Sequence, residues 1–216
     1  MTQFLTAGPA DASAHILLAH GAGAAMTSPF LETMTRLLTE RCLQVSRFEF
    51  DYMAARREAG KRRPPPRAEL LVPEYKRAVE ELRSQGASRQ KLLIGGKSLG
   101  GRVASLAAGE LFSAGRIAGL ICLGYPFHPP DKPENLRTAH LEKLACPTLI
   151  AQGERDPFGS RVEVESYRLS PDIKIEWAGD GDHDLGPRGG SGFTRASNLA
   201  LAADAIAAFA GDVGER

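Results

Sequence analysis

The chain is poor in aromatic residues, which make up 6% of its 216 positions and include a single Trp. It holds only three cysteines, Cys42, Cys122 and Cys146, odd in number and far apart. That spacing excludes a disulfide framework and a CxxC metal site. All three read as small buried hydrophobes in a reducing compartment, and a cytoplasmic location is expected. No apolar run approaches the roughly 18 residues of a membrane-spanning helix, and Met1–Ala14 lacks the basic start and apolar stretch of a secretory signal. An excess of either charge is also missing: 27 Lys plus Arg stand against 26 Asp plus Glu, a net charge of +1. Phosphate binding needs a surplus of cations. Neither nucleic acid nor a membrane is therefore expected as a partner.

What remains is globular material. Hydrophobic residues make up 43% and charged residues 25%, enough for one sizeable core, and the length suits a single domain over residues 1–216. Short apolar runs alternate with longer helical ones. Ala14–Ala19, Val45–Phe50, Lys91–Gly95, Ile117–Leu123, Pro147–Gln152 and Ile173–Trp177 read as strands, the first buried on both faces. A helix is predicted from Ser28-Pro29, where Ser28 suits the cap and Pro29 the first turn. Others are predicted over Pro73–Gln85, Leu99–Phe112 and Thr194–Ala210. Residues 51–70 carry six basic side chains and Pro64–Pro66. They read as an irregular surface excursion, because proline fixes φ and lacks a backbone donor. Gly124–Asn135, with four prolines, reads as a loop, and Gly211–Arg216 is expected to fray. Strands alternating with helices imply an α/β architecture: a doubly wound, mostly parallel sheet with helices on both faces.

The strongest local signal is Gly96-Lys97-Ser98-Leu99-Gly100, a G-x-S-x-G pentapeptide between a buried strand and a helix. That setting suits a nucleophile elbow. A serine forced through so sharp a turn needs neighbours without Cβ atoms, and here Gly95, Gly96, Gly100 and Gly101 flank it. The turn would lift the Ser98 hydroxyl to the carboxyl edge of the sheet, with the N–H of Leu99 aimed at the same space. An ordinary Gly-rich turn is the bland alternative. A P-loop is excluded because its first glycine would fall at position 91, which is Lys91.

A serine needs a base, and the base an orienting acid. In this arrangement they follow in the order Ser, Asp or Glu, His. Asp156, in GERDP after the strand PTLIAQ, and His183, in GDGDHDL after the strand IKIEWA, fit that order at the same sheet edge. His128 and His140 precede Asp156 and do not. Asp180, Asp182 and Asp184 stay open as alternative acids. The loop His20-Gly21-Ala22-Gly23-Ala24 should supply a second anion-binding N–H, that of Ala22, with His20 holding the loop. Lys97 either eases an anionic substrate group or pairs with a carboxylate. Tyr52, Tyr125, Phe127 and Phe158 are candidate pocket walls. Arg56–Arg67 is a solvated loop, a steering patch or a docking segment.

Taken together, HILLAHGAG, GGKSLGG, GERDPFG and GDHDL resemble the α/β-hydrolase superfamily over nearly the whole chain. Within it the chain is similar to a small branch containing a testis-expressed protein and a regulatory subunit of a histone acetyltransferase complex. It is distantly similar, in size, to dienelactone hydrolases. The resemblance implies the α/β-hydrolase fold, a Ser98–Asp156–His183 triad, and hydrolysis with no metal or organic cofactor. Many relatives insert a helical lid after the strand at Ile117–Leu123; little sequence is available there, so no large cap domain is expected. The activity implied is a serine esterase acting on a small-molecule acyl substrate through an acyl-enzyme, with thioester or amide as poorer fits. The alternatives are a non-catalytic scaffold or binding protein that keeps the fold, and an acyltransferase.

Overall fold

A computed structural model describes residues 2–59, 64–86 and 90–214. Seven strands form one sheet in the order β1 (Phe4–Ala7), β3 (Gln44–Phe48), β2 (Ala14–Ala19), β4 (Lys91–Lys97), β5 (Gly119–Leu123), β6 (Thr148–Gly153), β7 (Ile173–Ala178). β1 is antiparallel to β3, and every other neighbouring pair is parallel. The helices are α1 (Pro29–Thr39), α2 (Asp51–Ala59), α3 (Ala68–Ser84), α4 (Leu99–Ser113), α5 (Arg161–Val164) and α6 (Arg195–Asp212).

The layering follows from side-chain alternation. In β2, Ala14, Ile16 and Leu18 pack with α1 and α6, while Leu17 and Ala19 pack with α3 and α4. Successive residues of a strand face opposite sides, so a strand covered on both faces is apolar throughout. Each fully buried Leu or Ile contributes about 1.5–3 kcal/mol relative to exposure, and Ile16, Leu17 and Leu18 are all at 0% exposure. α1 begins as the sequence indicates, with Ser28 as its cap and Pro29 in the first turn.

The chain reverses its direction of travel across the sheet at β2, since β3 lies on one side of it and β4 on the other. A crevice opens at the carboxyl ends of two strands at such a switch point. Here those ends are His20–Ala22 and Ser98. No large cap covers them, because residues 124–147 between β5 and β6 form turns and loops only.

Several expectations need correction. Residues 51–70 are not irregular throughout: Asp51–Ala59 is helical, with Asp51 in the first turn, where a carboxylate favours the helix dipole, and Met53 buried. Residues 60–63, the centre of the basic stretch, lie outside the described residues. α3 starts at Ala68, which leaves Pro73 inside the helix. Burial of Ala68 and Leu71 sustains the added turn despite the missing donor. The chain also forms β1 at Phe4–Ala7, whose four residues carry too short a pattern to be read as a strand. Gly211 and Asp212 continue α6, and Val213 is buried, so fraying does not begin at Gly211. Residues 215–216 lie outside the described residues. Cys122 and Cys146 are buried, but Cys42 is exposed at a positive φ of 59°, in the turn that closes α1.

His15, on β2, and His140 carry imidazoles pushed down to about 4, His15 by burial and His140 by burial and then by the charge of Arg102. Unfolded histidine titrates near 6.5. Between those values the unfolded chain binds more protons, so stability falls as pH drops from about 6.5 towards 4. Urea midpoints recorded from pH 7 to pH 5 should decline, and His15→Gln should shallow the decline.

Candidate active site

β4 runs straight into α4 through Ser98, whose φ of 51° and ψ of −113° fall outside the regions favoured by side-chain-bearing residues. Such a conformation costs on the order of 1–3 kcal/mol and has to be imposed by its surroundings. The Ser98 N–H donates to Leu123 O at 3.0 Å, and Ser98 O accepts from the Arg102 N–H at 3.0 Å. Clearance is the second requirement. A Cβ at Gly96 would lie 2.5 Å from Ala19 O and 2.7 Å from the Gly100 carbonyl carbon, and one at Gly100 would lie 2.5 Å from Ala19 O. The start of α4 thus packs directly on the end of β2. Three residues upstream on β4, the buried Tyr75 hydroxyl accepts from the Gly95 N–H at 2.9 Å and lies 2.7 Å from Gly95 O and 3.0 Å from Leu17 O, stitching β4 to β2 below the serine.

The structure brings Ser98, His183 and Asp156 together. His183 Nε2 lies 2.8 Å from Ser98 Oγ, and His183 Nδ1 lies 2.7 Å from Asp156 Oδ2. The ring donates from Nδ1 to the carboxylate, which leaves Nε2 to accept the serine proton. His183 arrives from β7, three strands away from β4 in the sheet. Its loop crosses the end of β6 so closely that a Cβ on Gly153 would sit 2.2 Å from Asp182 O, and a Cβ on Gly124, after β5, would sit 2.7 Å from His183 O. Glycine at both points makes the crossing passable. Lys97 then ties the loop down: its Nζ donates to His183 O at 2.8 Å, pairs with Asp184 Oδ1 at 3.2 Å, and stands over the Phe30 ring. Burial pushes the Lys97 ammonium below its ordinary range, and the neighbouring Asp184 opposes that shift.

Asp156 is fully buried. Its Oδ1 accepts from the Phe158 N–H at 2.8 Å, and its Oδ2 accepts from Gln152 Nε2 at 2.9 Å as well as from His183. The other carboxylates of the loop are engaged elsewhere. Asp180 pairs with Arg188 and Arg155, and the hydrogen bonds from Arg188, aided by the charge of Arg155, hold its carboxyl down to about 2. Asp182 caps the N–H groups of Asp184 and Gly186, and Asp184 faces Lys97. His128 and His140 are also remote, the former bonded to Pro129 O and the latter to Ser105 Oγ.

Ala22 and Leu99 both line a cavity of about 570 Å³ that reaches Ser98. Leu99 opens α4, so its N–H has no carbonyl one turn back. The peptide that carries the Ala22 N–H is fixed by His20. His20 Nε2 accepts from the Phe50 N–H at 3.1 Å, so Nδ1 is the protonated nitrogen and donates to Gly21 O at 2.6 Å. In a planar trans peptide the carbonyl and N–H point to opposite sides. Holding Gly21 O inward therefore turns the Ala22 N–H away from His20. A second cavity, of about 450 Å³, meets Ser98 from the side of Gly23, Phe30 and Lys97. Of the four aromatic residues expected as walls, Phe158 lines both cavities, its ring 4.4 Å from that of His183. Tyr125 and Phe127 are core residues, and Tyr52 packs on His20 with its hydroxyl on Ala22 O. Among the described residues, no three His, Cys, Asp or Glu side chains gather where they could hold a metal ion. No helix among them is long and apolar enough to cross a membrane.

A strained serine at a switch point, an imidazole and a buried carboxylate in series on an α/β sheet define the class of protein. A family model described as an alpha/beta hydrolase domain matches residues 12–211, and the chain belongs to that family. Among solved structures it is similar to an alpha-beta serine hydrolase homologue from Coxiella burnetii, at 18% identity over 96% of this chain and 90% of that one, with a TM-score of 0.69. A dienelactone hydrolase from Anabaena variabilis matches at 19% identity over 94% and 89%, with a TM-score of 0.70. An a/b serine hydrolase without lid from Xanthomonas campestris matches at 17% over 85% and 81%, with a TM-score of 0.62. At these identities the likeness is one of fold.

Two residues that sequence reasoning passed over are Gln152 and Tyr75. Gln152 is a lone amide at the end of an apolar strand, which is a readable signal. Its Nε2 serves Tyr125 O, Asp156 Oδ2 and Gly159 O, and its Oε1 accepts from the Tyr125 N–H. Gln152→Leu leaves these buried groups unpaired, at about 1–3 kcal/mol for each, and should lower the thermal midpoint markedly. Gly96→Ala should do the same through overpacking, at about 1–3 kcal/mol. Gly109→Ala in α4, whose Cβ would meet only Leu144 Cδ1 at 3.7 Å, should be neutral or stabilising. Thermal denaturation of the three variants side by side checks both expectations.

Proposed function

We propose that this protein is a serine hydrolase of carboxylic esters, formed as one catalytic domain over residues 1–216. The observation that carries the reading is the unbroken chain from the Ser98 hydroxyl through His183 to the buried Asp156, at 2.8 and 2.7 Å. Ser98 Oγ attacks the ester carbonyl while His183 Nε2 takes its proton. The oxygen of the tetrahedral intermediate is held by the N–H groups of Leu99 and Ala22, each such donor being worth about 2.7–4 kcal/mol in the transition state. His183 returns the proton to the departing alkoxide, which leaves an acyl-Ser98 intermediate. Water repeats the sequence and releases the acid. Asp156 holds the imidazole in the tautomer that accepts at Nε2 and stabilises the imidazolium formed in each half. Thioesters and amides fit the same geometry but are poorer matches.

The finer placement, beside a testis-expressed protein and an acetyltransferase-complex subunit, rests on the sequence motifs and suggests a scaffold role as the second reading. A positioned nucleophile that borders two cavities favours catalysis over it. Labelling with a fluorophosphonate probe separates the two: Ser98 should be modified in the native protein and not after denaturation. Ser98→Ala should lower p-nitrophenyl acetate turnover at least about 10⁴-fold while the thermal midpoint stays nearly unchanged. Asp156→Asn should be severe but less complete, because it chiefly disturbs tautomer and orientation. A silent native serine beside a reactive control hydrolase would favour the scaffold. Ester formation in mixed alcohols would favour the acyltransferase.

A further inference from the structure

The larger cavity beside Ser98 is chemically lopsided. Its lining includes Arg67, Arg102 and Arg137 but a single carboxylate, Glu69. Glu69 is already committed, accepting from Arg102 Nη2 at 2.6 Å, and the buried Arg102 Nε has no partner. The guanidinium of Arg137 makes no hydrogen bond or ion pair among the described residues, although its backbone is fixed on both sides. The Arg137 N–H donates to Phe127 O at 2.7 Å, and Arg137 O accepts from the Tyr125 hydroxyl at 3.0 Å. The side chain is therefore delivered from a rigid loop. It is half-buried, and burial together with the nearby charge of Arg102 pushes its guanidinium below the ordinary range. Two half-buried guanidinium groups that repel each other, beside one carboxylate already bonded to Arg102, form a site that an anion would relieve. Planar forks of this kind match a carboxylate.

Position ties the charge to the chemistry. Arg102 lies four residues after Ser98 on α4, about 6 Å along the helix, and Leu99 shares the cavity wall. The imbalance is smaller in the second cavity, where Lys97 is paired with Asp184 and Arg195 is the one further cation. We propose that the larger cavity receives the carboxylate-bearing arm of an anionic ester, gripped by Arg137 and Arg102. The substrate class is thus a small ester with a free carboxylate a few bonds from the scissile carbonyl, and this inference rests on Ser98 being the nucleophile.

The test compares matched esters that differ only in that charge: p-nitrophenyl hydrogen adipate against its methyl ester, and 4-acetoxybenzoate against its methyl ester. At low salt at least one anionic partner should show a kcat/KM about ten- to hundredfold higher, the range expected of a charge-assisted contact. That ratio should shrink in about 1 M salt, where the Debye length is about 3 Å. Arg137→Gln should collapse the ratio, and Arg137→Glu should invert it. The salt response of the unmodified protein decides the matter if either variant folds poorly. Equal rates within both pairs, or a ratio unmoved by salt and by Arg137→Gln, overturn the proposal while leaving Ser98-dependent esterase activity intact. If no ester is cleaved and the fluorophosphonate does not label, the hydrolase reading fails. Calorimetry with monomethyl adipate then settles the anion site: binding lost in Arg137→Gln upholds it, and no binding overturns it.

Discussion

The contact on which the rest depends is the packing of the α4 N-terminus against the last carbonyl of β2. Gly96 and Gly100 each approach Ala19 O so closely that a side chain on either would overlap it. Because of that contact Ser98 is held at an unfavourable φ and ψ rather than relaxing into the helix, and the β2 loop with Ala22 stands beside it. The strain is local, and the sheet that opposes it is extensive: β2 pairs with both β3 and β4 and is buried along its length. The framework over-determines the turn, which is how a conformation disfavoured by a few kcal/mol persists.

A second constraint concerns charge. Asp156 is buried, and an ionised carboxylate withdrawn from water needs a full set of donors. Phe158 N–H, Gln152 and His183 provide them. The aspartates adjacent to His183 do not pair with its ring, because their positions on the loop commit them to Arg155 and Arg188, to the loop's own N–H groups, and to Lys97. Lys97 was open to two readings, and the structure gives it a carboxylate partner and a carbonyl of the histidine loop. It acts on the loop rather than facing an anion unpaired.

The two flanks of Ser98 differ in the same electrostatic terms. On one side the buried Lys97 is paired with Asp184 and Arg195 is the one further cation, and on the other three arginines stand against a single carboxylate. In a chain of nearly zero net charge this asymmetry is invisible to composition. It arises only because α3, α4 and the loop after β5 converge on one cavity.

Much of the fold was legible because its signals are local. AHILLA, KLLIG and PTLIAQ are apolar at consecutive positions, which marks strands covered on both faces, and G-x-S-x-G between strand and helix marks the turn. The chain order of Ser98, Asp156 and His183, each after a strand, singled out residues that the structure brings into contact. Less was legible where one signal masked another. The proline run obscured the helix Asp51–Ala59 that precedes it, and burial upstream of Pro73 extended a helix that proline was expected to open. Short β1 has its identity from pairing with β3, and pairing is not a local property. By itself the sequence determined periodicity, strain-permitting glycines and which side chains follow each strand, because these depend on residues a few positions apart. Only the tertiary structure decided which aspartate meets His183, what Gln152 and Lys97 hold, and where arginines outnumber carboxylates, because each depends on distances between segments far apart along the chain.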